Sequence, residues 1–271
     1  MQARYRPLIP YLILAGSLIF VAVFAPFLTP HDPYIQDLEN ALTPPNSNNL
    51  LGTDRYGRDV LSRVIMGAQT TLCASLLLLL TISVVGSLIG AICGLKGGKT
   101  DIFLMRLSDV FLAFPQMVFA IAAAGILGGG LFNAAAALAI IGWSKYARIS
   151  RSLVLTIREM PYINAAKMAG TSSAGILFHH VLPNIAGPVL VTAALDIGTI
   201  IMELAGLSFL GLGAQPPTAE WGAMMNNGRS MLQTSSWVIL APGTAIFITV
   251  AIFNLLGDKL RDVLDVRSER N

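Results

Sequence analysis

The sequence predicts an all-α membrane protein with six transmembrane helices and both termini in the cytoplasm. Three observations carry that reading. Hydrophobic residues make up 54% of the 271 and charged residues only 12%, about half the charged share of a soluble domain. Mean hydropathy is +0.67. The charge-free runs are long enough to cross a bilayer core as helices, which takes roughly 20 residues each. Together these exclude a disordered chain, a coiled coil and a disulfide scaffold, and they argue against an ordinary soluble enzyme. The net charge of +3 does not call for nucleic acid as a partner. In such a chain, Lys and Arg mark the cytoplasmic side, and the surrounding partner is membrane lipid.

The first span is Leu8 to Leu28, 21 residues without a charge, preceded by Arg4 and Arg6. No small-x-small cleavage site follows it, so it reads as an uncleaved helix rather than a signal peptide. The second is Thr71 to Leu95, with Gly86, Gly90 and Gly94 at a spacing of four. Those glycines share a helix face and let another helix approach closely. Val110 to Ser144 is free of charge for 35 residues, about 52 Å as one helix and too long for a single crossing. Gly128-Gly129-Gly130 is its natural break, giving a hairpin of Val110–Leu127 and Leu131–Ser144. The fifth span is Pro188 to Leu207, which holds Asp196 and Glu203, and the sixth is Ser236 to Gly257.

The basic residues test this count. With six spans and the amino terminus inside, 14 of the 18 Lys and Arg are cytoplasmic and 4 are outside. Taking the long run as one span reverses everything after it and leaves 6 inside and 12 outside. The excess of positive charge inside selects the hairpin. Two connections are too long to be turns: 29–70 outside, and 145–183 inside, the latter helical in pattern but too polar to span.

Dedicated chemistry is scarce. Gly94-Leu95-Lys96-Gly97-Gly98-Lys99-Thr100 is similar to a phosphate-binding loop, but Cys93 stands where that motif needs its first glycine. It reads as a short turn, with no ATPase site in this chain. His31, His179 and His180 and the two cysteines, Cys73 and Cys93, form no metal-ligand pattern, and no cofactor is expected. Asp196 and Glu203 are the unusual residues. A carboxylate in mid-membrane costs about 2.5–3.5 kcal/mol. Seven residues apart, the two share a helix face. They either line a polar passage or hydrogen-bond neighbouring helices. The segment Pro161 to Gly170 has small residues at Ala165, Ala166, Ala169 and Gly170. Such a helix either presses into a groove on another protein or lies on its own bundle.

Asn164-Ala165-Ala166, then Gly170, then Leu182-Pro183, resembles the coupling loop of bacterial ABC importer permeases. That loop reads E-A-A-x3-G-x9-I-x-L-P. Asn164 replaces its acidic residue and His180 its isoleucine. Gly52-Thr53-Asp54, Gly57-Arg58-Asp59 and Ser62-Arg63 resemble the signature of the second permease subunit in the nickel/dipeptide/oligopeptide subfamily. So do Phe114-Pro115, Leu207 to Gly213, Glu220-Trp221-Gly222 and Gly257 to Asp262.

The resemblance covers nearly the whole chain. It implies residues 1–70 as a first helix plus extracytoplasmic loop, and 71–271 as a five-helix permease core. It implies a multi-pass protein of the bacterial inner membrane. The partners would be a homologous second permease, two ATP-binding cassette ATPases below and a substrate-binding protein above. Asn164, Ala165, Ala166 and Gly170 would couple to the ATPases, and Asp196 and Glu203 are candidates for the wall of the passage. The short amino terminus, Leu195-Asp196-Ile197-Gly198 and Lys145-Tyr146-Ala147-Arg148 resemble nickel permeases, so nickel, free or chelated, is the expected cargo, with di- and oligopeptides the alternative. The competing class is an ion-coupled carrier using Asp196 and Glu203 as a relay.

Overall fold

The computed structural model describes residues 6–264; Arg4, Arg267 and Arg270, counted above as cytoplasmic, lie outside them. The architecture is all-helical, with helix accounting for 77%. Strand pairing among the described residues is a single bridge between Thr53 and Asp59.

Helix α1 (Ile9–Leu28) is apolar on every side. Its large side chains, such as Ile13, Phe20 and Phe27, are exposed, while Ala15 and Ala22 are buried. The small residues let α1 lie against the bundle, and the large ones face outward, as lipid contact requires. Helix α2 (Val60–Lys96) runs for 37 residues, about 55 Å, well beyond the roughly 30 Å of hydrocarbon. It starts earlier than Thr71 because the Asp59 side chain caps it, accepting from the Ser62 N–H. Its extension carries the helix out of the membrane, and the expected boundary at 70/71 falls inside it.

The glycine face of α2 does what its spacing predicts. A Cβ on Gly86 would strike Trp143 and Tyr146, one on Gly90 the backbone of Ala147, and one on Gly94 would lie 2.8 Å from Val154. All four neighbours belong to α5 (Leu131–Ile157), so these two helices pack backbone to backbone.

Between them lies a departure from expectation. The arm Val110–Leu127 is not one helix. Helix α3 (Gly98–Ala113) ends at Phe114, α4 (Gln116–Ile126) begins after Pro115, and the two are bent by 95°. Pro115 supplies no N–H and excludes the α conformation at Phe114, whose ψ is 143°. The hairpin turn itself falls where predicted: Gly128, Gly129 and Gly130 have φ of +87°, +72° and +98°, values that only glycine adopts readily.

After α5 come α6 (Pro161–Met168), a turn at Ser173–Ile176, a π-helical turn at Leu177–Val181, and α7 (Leu182–Phe209). A short helix α8 (Trp221–Gly228) and α9 (Trp237–Leu264) complete the chain. Four helical stretches are long and apolar enough to cross a membrane: Ile9–Leu28, Val60–Lys96, Ser173–Phe209 and Trp237–Val263. The bent pair α3–α4 would make a fifth. Helix α5 packs within this bundle but carries Lys145, Arg148 and Arg151 along its second half.

Candidate functional site

The α6 end of the bundle is built around one side chain. Ile163 is fully buried with Ala91, Val154, Ile176, Val181 and Ile185, and it is the buried residue of α6. The rest of the helix faces out. Asn164, Ala165 and Gly170 are exposed and Ala166 is half-buried. Tyr162 is 43% exposed and Met168 90%. A small-faced helix with an uncovered methionine is thus held out from the protein by an isoleucine anchor.

Gly170 closes α6. Its φ is +80°, its N–H donates to Lys167 O, and the Thr171 N–H donates to Ala166 O, both at 3.0 Å. That is the Schellman arrangement, which places glycine just past a helix end. A Cβ here would meet nothing within 4 Å. Glycine is therefore required by the backbone angle, not by close approach inside this chain.

The two span carboxylates are both partnered. Asp196 on α7 accepts from Lys145 Nζ at 2.7 and 2.8 Å and from the Tyr146 hydroxyl at 2.9 Å. Its side chain is 15% exposed and that of Lys145 50%. Glu203 accepts from Gln116 Nε2 at 2.9 Å. The 95° break brings Gln116, at the start of α4, beside α7. The sequence singles out both carboxylates, and Lys145-Tyr146 as a motif, but not their pairing across helices. The clue was present in Lys145, a cation well inside a helix whose first half is apolar. Two further pairs continue down α5, Arg148 with Asp109 and Arg151 with Asp101, the latter closing Nη2 to Oδ2 at 2.6 Å. They tie α3 to α5.

At the opposite end, the 29–59 loop folds on itself. Asp54 accepts from Arg58 Nε and pairs with Arg58 Nη2, each at 2.7 Å, and Arg63 Nε stands 3.6 Å away. Arg63 Nη1 donates to Pro33 O at 2.8 Å. The signature residues of this loop thus make a buried internal network. Glu220 is fully buried and caps α8, accepting from the Gly222 and Ala223 N–H groups at 2.9 and 2.8 Å and from the Thr71 hydroxyl at 3.2 Å. Burial pushes its carboxyl above the usual range, against those donors. Trp221 Nε1 donates to Val64 O at 2.9 Å and covers Gly67. The Glu220-Trp221-Gly222 triplet is therefore a clamp between α2 and α8.

Among the described residues no group of three or more His, Cys, Asp or Glu could hold a metal ion. What the chain offers is two surfaces at opposite ends and a polar seam, Lys145–Asp196 and Gln116–Glu203, between them.

Comparison with known proteins bears on this arrangement. A family model described as "Binding-protein-dependent transport system inner membrane component" matches residues 86–270. A second, the N-terminal TM domain of oligopeptide transport permease C, matches residues 12–45. The chain is 41% identical over 256 residues to a probable D,D-dipeptide transport system permease protein of Escherichia coli (strain K12), covering 94% of this chain and 86% of that one. It is 39% identical over 254 residues to the nickel transport system permease protein of the same organism, covering 94% and 92%. It is 41% identical over 250 residues to a glutathione transport system permease protein of Pectobacterium atrosepticum, covering 92% and 83%.

Proposed function

The chain belongs to the binding-protein-dependent transport system inner membrane components, the permease subunits of ABC importers, and on that premise we propose that it forms half of a translocation passage driven from α6. It is a multi-pass protein of the bacterial inner membrane and not itself an enzyme; ATP hydrolysis belongs to partner subunits. Family membership also implies an importer with further permease, ATPase and binding-protein components.

In this reading the chain crosses six times, with α1, α2, the broken α3–α4, α5, α7 and α9 as spans and both termini cytoplasmic. Residues 1–70 supply the first helix and an extracytoplasmic loop, and residues 71–271 the core. A homologous permease faces it across the passage. Two ATPases bind below, one of them on Asn164, Ala165, Ala166 and Gly170. ATP binding closes the ATPases, and α6 carries that motion through Ile163 into α2, α5 and α7 as a rigid-body movement. The single observation that carries this reading is the outward-facing α6 seated on one buried isoleucine.

Asp196 and Glu203 are proposed to border the passage, with Lys145 balancing Asp196. The cargo is proposed to be nickel, free or chelated. The nickel relative, 39% identical over 254 residues, supports this. The second reading is a di- or oligopeptide. It is supported by the dipeptide relative and by the Lys145–Asp196 pair, in which a built-in cation already occupies Asp196.

The test is nickel-63 uptake in cells carrying the complete importer, with and without this chain, in the presence of a dipeptide mixture. Uptake that vanishes on deletion and ignores peptides supports nickel. Uptake that is unchanged on deletion moves the cargo to peptides.

A further inference from the structure

The 29–59 loop holds a polar cleft of about 590 Å³, walled by His31, Asp32, Asp37, Asn40 and Asp59 with Ile35 at its side. Its charges are unbalanced. Among the described residues Asp32 accepts only from the Tyr34 N–H at 2.8 Å, and Asp37 from Asn40 Nδ2 at 2.7 Å. Asp59 is different. Its side chain is 3% exposed, one oxygen accepts from the Ser62 N–H and hydroxyl at 2.8 and 2.7 Å, and the other, Oδ1, is buried with no hydrogen-bond partner among the described residues. A buried carboxylate oxygen without a donor is costly unless a positive charge stands nearby. Among the described residues no Lys or Arg pairs with any of these three aspartates. The basic side chain beside them is His31, whose Nδ1 is 3.8 Å from Asp59 Oδ2. The arginines of the same loop are committed elsewhere: Arg58 and Arg63 to Asp54, and Arg55 to Asn227.

The wall is completed by Ser47, Asn48 and Asn49, and Ile35, which also lines it, has exposed apolar neighbours along the chain. Ile35 is 66% exposed, Leu38 69% and Tyr34 40%. These residues lie in a loop at the end of the bundle, beyond the capped start of α2. A solvated cation would need the carboxylates but not these apolar side chains. A protein surface would use both, since interfaces join apolar contact to complementary charge.

We propose that this cleft is a socket for a lysine or arginine side chain of the extracytoplasmic substrate-binding protein, with Asp32, Asp37 and the unpartnered Asp59 oxygen as its anionic wall and Tyr34, Ile35 and Leu38 as the contact rim. The inference rests on the importer reading, which supplies the binding protein, and adds where and by what chemistry that protein is held. The entering cation compensates carboxylates that no Lys or Arg among the described residues pairs. Screening by salt weakens the contact, as for any interface steered by charge.

The experiment uses the complete importer reconstituted in liposomes and its own binding protein, titrated against stimulated ATP hydrolysis at low and at high NaCl. Asp32 and Asp37 are exposed, so the Asp32→Asn, Asp37→Asn double variant leaves the buried network of Asp54 intact. The half-saturating concentration of binding protein is expected to rise about tenfold at low salt, with a flatter salt dependence, and the lost rate to be recovered by adding more binding protein. In parallel, an Asp37→Cys variant is expected to cross-link to a lysine of the binding protein through a thiol- and amine-reactive reagent. A double variant with the wild-type half-saturating concentration and salt dependence overturns the socket. A wild-type importer that no binding protein stimulates overturns the importer reading itself, a result separate from the first.

Discussion

Replacing Ile163 with Ala should uncouple ATP hydrolysis from transport without dismantling the bundle. Ile163 is fully buried, and it is the buried side chain of an eight-residue helix. Truncation removes three carbons from a packed cluster with Val154, Ile176 and Ile185. Transfer of those carbons and the cavity left behind together cost about 3 kcal/mol. The loss falls on the seating of α6, because the long helices keep their other contacts. A change of about 3 kcal/mol shifts the ratio of seated to unseated α6 by roughly 150-fold. In the reconstituted importer, ATP consumed per substrate delivered should rise several-fold, while amide exchange accelerates in α6 and not in α2 or α5. Unaltered exchange in α6 would refute the anchor. Faster exchange with an unchanged ATP-to-substrate ratio would refute the coupling role.

Three further outcomes follow from the same geometry. Gly170→Val forces a β-branched residue to φ +80°, costing about 1–2 kcal/mol, and should lower coupled transport, whereas Gly170→Asn, which tolerates that angle, should retain most of it; equal activity of the two would refute the backbone argument. Lys145→Met leaves Asp196, 15% exposed, without its cation and should destabilise the assembled protein more than Asp196→Asn does, with the double variant recovering part of the loss in thermal melting; if Asp196→Asn also leaves uptake of a cationic substrate untouched across pH, the charge has no transport role. Glu220 has its carboxyl raised by burial, so the folded state holds its proton more tightly than the unfolded one. Its contribution is full at low pH and is lost as pH rises above the ordinary carboxylate range. The melting temperature of the wild type should therefore fall with rising pH relative to Glu220→Gln, and parallel profiles would contradict this.

What the sequence made legible depended on periodicity and on glycine. The face of Gly86, Gly90 and Gly94 announced the α2–α5 contact because only small residues permit backbones to meet. Gly128 to Gly130 announced the turn between α4 and α5, where all three take positive φ. The elbow at Phe114-Pro115 was missed, since hydropathy is continuous across it and only the proline marks it. The pairings of Asp196 and Glu203 were also missed. Lys145 and Gln116 are 51 and 87 residues distant from their partners, and no local pattern links them. Ile163 lay unremarked within a segment read for its small residues, because burial of one side chain in eight leaves no periodic trace. The loop signature around Asp54 and Arg58 was visible as charge, and its closure into an internal network follows from short range: Arg58 is four residues from Asp54.

If α6 is the grip of an ATP-driven assembly, this chain works only within that assembly. The most direct measurement is to tag the chain, extract it gently from the membrane and count what comes with it, for the wild type and for a variant with Ala165→Arg and Met168→Arg on the exposed face of α6. One second permease and two ATPase subunits per chain are expected, with ATPase lost from the variant. A chain that isolates alone and sustains uptake on an ion gradient without ATP would contradict this.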